Sequence, residues 1–190
     1  MVYSTASQAQ DSLLLMSGRN LPVKIHLIEV DALNFSFEDK KGKTVEGLFE
    51  LDEIYSYKKE GGQETILYVQ DVENGDIYTP NEHRFYIHGH QDARKGYDSK
   101  WVKIGGLVSG IGVTLYTGTS IIPFGYPLIY GGAMQLPFIK IQGKSISNSE
   151  FKTHESYRRG YEKAARSKKF VASFLSSLAG VIVGTAINEL

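Results

Sequence analysis

Phe170-Val-Ala-Ser-Phe-Leu-Ser-Ser-Leu-Ala-Gly180-Val-Ile-Val-Gly-Thr-Ala-Ile187 is the stretch on which the fold reading turns. No charge falls between Lys169 and Glu189. As an α-helix the stretch spans about 27 Å, close to the thickness of a hydrocarbon core. Ala172, Ser176, Gly180 and Gly184 recur every fourth position and share one helix face. Such a face lets helix backbones approach closely, the packing device common inside bilayers. Val181 and Val183 lie off this row. An upstream stretch repeats the pattern: no charge falls between Lys103 and Lys140, and Gly106, Gly110, Thr114 and Gly118 lie one turn apart. It also holds Pro123, Pro127 and Pro137, which one straight helix cannot absorb. A short helix, a break near Thr117–Ser120 and a return segment are predicted, as a helical hairpin or re-entrant pair. Tight helix pairs of soluble proteins use the same small residues. A lone helix apolar on every face, however, needs either a larger protein around it or lipid, and lipid is the reading adopted.

Working outward, the chain has 190 residues and a formal net charge of +0, so a general attraction to nucleic acid is not indicated. Acidic residues gather in the first half and basic residues just before the two apolar stretches. With 12 Tyr and 9 Phe, the aromatic content suits β-structure or membrane interfaces. With 0 Cys, disulfides and thiolate zinc sites are excluded. Residues 1–10 resemble the tail of a secretory signal peptide, with Ser7 and Ala9 as the small residues before a cleavage point. A basic n-region and a long apolar h-region are missing, so Met1 reads as a start inside a longer leader.

Residues 11–80 read as a β-domain. Leu13–Met16 is a short apolar run closed by the turn residues Ser17–Asn20, and Val23, Ile25 and Leu27 alternate with Lys24 and His26. Leu33, Phe35 and Phe37, then Val45–Leu51, Ile54–Tyr57 and Thr65–Val69 extend the pattern, with turns at Asp39–Lys43 and Gly61-Gly62. About five or six short strands at this spacing predict a small barrel or rolled antiparallel sheet. Asn74-Gly75 marks a tight turn. A helix is predicted from Asn81 towards Trp101, the sole tryptophan, placed where an amphipathic ring prefers a membrane interface. Ser147 and Glu150 have capping-box spacing ahead of the last helix.

Three constellations bear on chemistry. His88, His90 and Asp92 would share one face of a strand and resemble the ligand runs of metallohydrolases. The surrounding pattern is helical, however, and there the three splay around the axis, so a solvated helix surface is the preferred reading and no metal site is assigned. Arg158, Arg159, Lys163, Arg166, Lys168 and Lys169 form a basic face, with Trp101 suited to a membrane surface and its anionic headgroups. Tyr157 and Tyr161 interleave with it. No nucleophile triad, phosphate-binding loop or dinucleotide fingerprint is present. Neither a catalytic residue nor a cofactor is therefore assigned, and no enzymatic activity is expected.

Asp11-Ser-Leu-Leu-Leu-Met-Ser-Gly18-Arg19, then Gly89, Asp92, Ala93 and Tyr97, then Tyr157, Gly160, Tyr161, Ala165 and Lys169 carry a resemblance. The layout resembles uncharacterised exported envelope proteins of Bacteroidota, over nearly the whole mature chain. The resemblance implies export and membrane association, and no activity. The combined expectation is an α+β chain: a small β-barrel or rolled sheet, then a Gly-rich membrane-associated helical region over 81–190 with apolar segments 104–139 and 170–187. Gly106, Gly110, Gly118, Ser176, Gly180 and Gly184 are its expected helix-packing residues. The expected function is a non-catalytic envelope scaffold or anchor with a periplasmic β-domain. Its partners would be membrane lipid and a protein or second copy, not nucleic acid. One alternative is an inner-membrane protein with the β-domain in the cytoplasm, because Lys95, Lys100, Lys103 and the 158–169 cluster would then obey the positive-inside rule. A metal-dependent hydrolase is the remaining alternative.

Overall fold

A computed structural model describes residues 10–39, 41–73, 75–118, 120–136 and 139–190. The expected leader tail through Ala9 lies outside them, as do Lys40, Asn74 and Thr119 of the expected turns and Pro137 of the first apolar stretch. The chain divides into two compact units, one ending at Ile87 and one beginning at His88. Helix α1 (Pro80–Gly96) begins at position 80, where the β-domain is expected to end. The first turns of α1 belong to the first unit and the remainder to the second.

The first unit contains β1 (Ser12–Leu15), β2 (Asn20–Pro22), β3 (Lys24–Ile28), β4 (Ala32–Glu38), β5 (Thr44–Glu50), β6 (Ile54–Lys58) and β7 (Glu64–Ile66). They form two antiparallel sheets, ordered β2-β1-β6-β7 and β3-β4-β5. The α+β class stands, but the barrel does not: no ladder joins the two sheets among the described residues. β1 uses one edge on β2 and the other on β6, and Val23, fully buried, carries the chain from the first sheet to the second. β2 lies next to the expected Ser17–Asn20 turn and was not foreseen as a strand. Asp11 ties the start of the unit together. Its carboxylate accepts from the amides of Ile25 at 2.9 Å and Glu60 at 2.7 Å.

Bulges decide which way the apolar residues point. Leu15 pairs with Ile54 and Leu14 with Ser56, which leaves Tyr55 as the extra residue of a bulge in β6. Leu13, Leu15 and Ile54 therefore join Val23, Leu33 and Phe35 in one core. Leu14, Met16 and Tyr55 join a second, with Tyr68 and with Ile87 of α1. In β3 the extra residue is His26, because Ile25 pairs with Phe35 and Leu27 with Asn34. That bulge breaks the alternation expected from Val23, Ile25 and Leu27, and leaves Leu27 55% exposed.

The second unit completes α1 and adds α2 (Lys100–Thr117), α3 (Ile122–Ala133) and α4 (Glu155–Asn188). The helix expected to run from Asn81 to Trp101 breaks at Tyr97–Ser99. There the Asp98 amide donates to Gln142 Oε1 at 3.1 Å and Gln142 Nε2 returns a bond to the Asp98 carbonyl at 2.8 Å. α2 ends at Gly118, whose φ of +70° suits glycine and stops the helix. Pro123 sits in the first turn of α3, where its missing N–H costs nothing. Ser147 does not cap α4. Its hydroxyl and amide both donate to Asp92, and α4 begins only at Glu155.

Candidate functional site

α2 and α4 pack as parallel neighbours, with the small residues of each at the contact. A Cβ added at Gly106 would overlap the Ser176 hydroxyl, and one at Gly110 would lie 3.0 Å from the Val181 amide nitrogen. One at Gly180 would lie 3.1 Å from the Gly110 Cα, and one at Gly184 2.8 Å from the Thr114 Cβ. The rows therefore face each other in order: Gly106 with Ser176, Gly110 with Gly180, Thr114 with Gly184. α3 is the return segment, and its Gly131 lies against Phe170 and Phe174. Gly118 takes no part in this packing, because a Cβ there meets nothing within 4 Å. Val181 lies off the row yet is 0% exposed. It is buried because the contact is wider than one line of residues.

The bundle is apolar outside and small or polar inside. Its buried residues include Gly106, Gly110, Thr114, Ser173, Ser177, Gly180 and Gly184. Its exposed residues include Val108, Tyr116, Phe124, Leu128, Ile129, Leu175 and Ile182. The interior hydroxyls bond to carbonyls of their own helix: Thr114 to Gly110 at 3.0 Å, Ser173 to Phe170 at 2.8 Å, Ser177 to Phe174 at 3.1 Å. Such back-bonding needs no water. Across helices, the Tyr130 hydroxyl donates to the Val102 carbonyl at 3.0 Å and the Asn188 amide to the Thr114 carbonyl at 3.0 Å. Among the described residues, α4 is the one helix long and apolar enough to cross a membrane.

The residues expected at a membrane surface have different surroundings. Arg158 lies 3.8 Å from Glu162, and Arg159 holds Glu155 through Nε at 3.0 Å and a terminal nitrogen at 2.6 Å. Arg166 reaches the Gln135 carbonyl at 3.5 Å. Lys168 donates to the Arg94 carbonyl at 2.8 Å and the Ala93 carbonyl at 3.4 Å, where a cation complements the C-terminal end of α1. Lys169 is buried, whereas Lys163 is largely exposed and Trp101 is 85% exposed at the start of α2. Tyr157 and Tyr161, expected among the surface charges, are fully buried.

The run His88, His90, Asp92 lies on α1, not on a strand, so its side chains diverge. His88 stacks on Phe151 with ring centroids 5.1 Å apart. Burial, with the charges of Arg94 and Lys163, lowers the His90 pKa to about 4. Asp92 Oδ2 accepts three bonds, from the Ser147 amide and hydroxyl at 2.9 Å each and from the Tyr157 hydroxyl at 2.8 Å. Burial first, and then the bond to Asp92, raise the Tyr157 pKa. Gly89 and Gly96 make room beside this lock, against the Tyr157 carbonyl and the Ser145 backbone. The Ser145 hydroxyl shares a 2.6 Å bond with the Tyr161 hydroxyl. No group of three or more metal-binding side chains forms among the described residues.

His83, in the first unit, was not foreseen. It is 7% exposed, and neither ring nitrogen has a hydrogen-bond partner among the described residues. Four tyrosines surround it, with centroids at 4.3 Å (Tyr68), 5.5 Å (Tyr86), 5.8 Å (Tyr55) and 6.1 Å (Tyr78). Burial lowers its pKa, opposed by the charge of Asp76. An unfolded histidine takes a proton near about pH 6.5, and this one resists doing so. The neutral ring thus contributes full stability above that pH, and the contribution falls as the pH drops towards the lower folded pKa. His83→Phe should weaken the acid sensitivity of the first unit. Thermal melts of both proteins at about pH 7.5 and about pH 5.5 test this. An equal loss in the two would refute it.

No protein-family model matches the chain, and no curated protein or solved structure matches it significantly.

Proposed function

We propose that the chain is a non-catalytic membrane protein of the cell envelope. Its helical unit sits in lipid as an anchor, and its β-unit serves as an interaction module. The observation that supports this reading best is the inside-out bundle, with Gly, Ser and Thr between the helices and Ile, Leu, Val and Phe facing outward. Water would penalise that outer surface, and lipid does not. The resemblance to exported envelope proteins points the same way.

A specific observation favours the version with the β-unit in the cytoplasm. α2 and α4 run parallel, so Lys100 and Lys103 begin one helix on the same side as Arg166 and Lys168 begin the apolar part of the other. Clustered cations flanking membrane helices mark the cytoplasmic side. The chain preceding α2 would then lie there too. Fractionation tests both statements. The full chain should stay in the membrane pellet through a carbonate wash and require detergent for release. In spheroplasts, external protease should leave a tag ahead of Asp11 intact. Release by carbonate would overturn the membrane reading, while cleavage of the tag would overturn only the orientation.

A further inference from the structure

We propose that the cleft between the start of α2 and the middle of α4 binds the phosphate of an anionic phospholipid. The inference rests on the membrane reading above and adds a site to it. The cleft has a volume of about 420 Å³, and its walls include Ser99, Lys103, Ser167, Lys168, Val171 and Ala172. Volumes of this size are ordinary for small-ligand sites.

The composition of the walls follows the chemistry of a lipid headgroup. Two lysines supply positive charge and two serines supply hydroxyl donors. Val171 and Ala172, in the first turn of the apolar stretch, continue the wall with surface suited to an acyl chain. Lys103 is exposed, and its side chain makes no hydrogen bond or ion pair among the described residues. Lys168 is fixed by the carbonyls of Ala93 and Arg94, so its ammonium is held in place before any ligand arrives. Asp98 offsets the pair only in part. Its Oδ2 already lies 3.6 Å from the Lys100 ammonium and 3.4 Å from that of Lys144. Four lysines therefore share one carboxylate. Burial, and then the charge of Lys103, lower the Lys168 pKa, and the charge of Asp98 opposes them without cancelling them. Ser99 is also the residue before α2, and the positive end of that helix dipole adds to the field at the cleft. The site lies at the level where both apolar stretches begin, immediately after Lys103 and after Lys169, which is where lipid phosphates lie.

Trp101, alone of its kind and exposed beside the cleft, reports on this site in the full-length protein. Its fluorescence is measured in bilayers of phosphatidylcholine and phosphatidylglycerol, with bromine carried on the chains of one lipid or the other. Brominated phosphatidylglycerol should quench with about fivefold higher affinity, the factor of one lysine–headgroup contact. Lys103→Gln should bring the two lipids close to parity. It touches no hydrogen bond, so misfolding does not obscure the result. Lys100→Gln removes a charge from the residue next to Trp101 but outside the cleft walls, and should keep the preference. Equal loss in both variants would reduce the effect to general surface charge and overturn the site. Equal quenching of the wild-type protein by both lipids would also overturn it and leave the membrane reading intact. No quenching by either would remove the membrane reading itself. Inorganic phosphate, added at constant ionic strength, separates the sources. Loss of the preference on its addition would make the ligand a free phosphate and overturn the lipid assignment, whereas an unchanged preference supports the lipid.

Discussion

Gly180→Leu is expected to break the α2–α4 contact without changing the membrane retention proposed above. A Cβ at Gly180 would overlap the Leu107 carbonyl, and the Gly110 Cα lies 3.1 Å from the same point. Both obstacles are backbone, so no rotamer change relieves them. Overpacking of a tight contact costs about 1–3 kcal/mol, and a whole isobutyl group against backbone belongs at the upper end or beyond. Gly110→Leu should do the same from the other side, against the Ser177 carbonyl. The substituted helix remains apolar and as long as before, so its proposed insertion should be unaffected. Gly112→Ala is the control. It lies on an exposed part of α2 with nothing within 4 Å of the added methyl, and the helical backbone gains about 1 kcal/mol from alanine. Val183→Leu is a second control, whereas Val181 is unsuitable because it is buried in the contact. Thermal melts of the detergent-solubilised variants, read by circular dichroism, should rank the two leucine variants far below both controls. Since the two glycines meet within one chain, the loss should appear at every protein concentration. A loss seen only on dilution would instead mean that the rows join separate copies.

What the sequence disclosed about this architecture was mostly local. A short apolar run located β1, and alternation located β3 to β6 to within a residue or two, because half-buried strands repeat every second position; β7 ends three residues before the expected Val69. The bulges at His26 and Tyr55 were hidden, since an extra residue in one strand is visible only against its partner. The division into two sheets was hidden for the same reason. Spacing marked the small-residue faces of α2 and α4 but could not say that they face each other. Such rows fix a face and leave its partner open, and the return helix α3, which makes parallel packing possible, lies between them. Gly118 fits the row by spacing, yet its positive φ makes it a terminator. The tyrosine cage was illegible because Tyr55, Tyr68, Tyr78 and Tyr86 come from separate elements that meet only in the fold. Asp92 drew attention as a possible metal ligand. Its actual partners, Ser147 and Tyr157, lie 55 and 65 residues further along the chain. Sequence had marked both residues, but for different reasons: Ser147 as a cap and Tyr157 as part of a surface face.

Asp92→Ala should be the most damaging substitution in the helical unit outside the apolar stretches. Asp92 is 6% exposed, and one of its oxygens gathers all three donors. Removing the acceptor leaves the buried Tyr157 hydroxyl without it, whereas the donors of Ser147, an exposed residue, can turn to water. One buried unsatisfied group costs about 1–3 kcal/mol, so a total loss on the order of 2–4 kcal/mol is expected once the small cavity is included. Asp92→Asn keeps a carbonyl acceptor and most of the volume, and should cost about 1–2 kcal/mol. Tyr157→Phe removes one donor and leaves the Ser147 bonds intact, so it should resemble the asparagine variant. The decisive measurement is the double-mutant cycle. If the three groups act as one lock between α1, the Ser147 turn and α4, Tyr157→Phe should cost much less in the Asp92→Ala background than in the wild type, because its partner is already gone. Additive losses would show that Asp92 and Tyr157 stabilise the unit separately. None of these variants alters the apolar stretches, so all should fractionate as the wild type does, which is proposed above to be with the membrane. A stability loss without release from the membrane would assign Asp92 to holding the base of the helical unit. Were it a metal ligand instead, chelation would mimic Asp92→Ala in the wild-type protein; the hydrogen-bond geometry predicts that chelators leave the melting temperature unchanged.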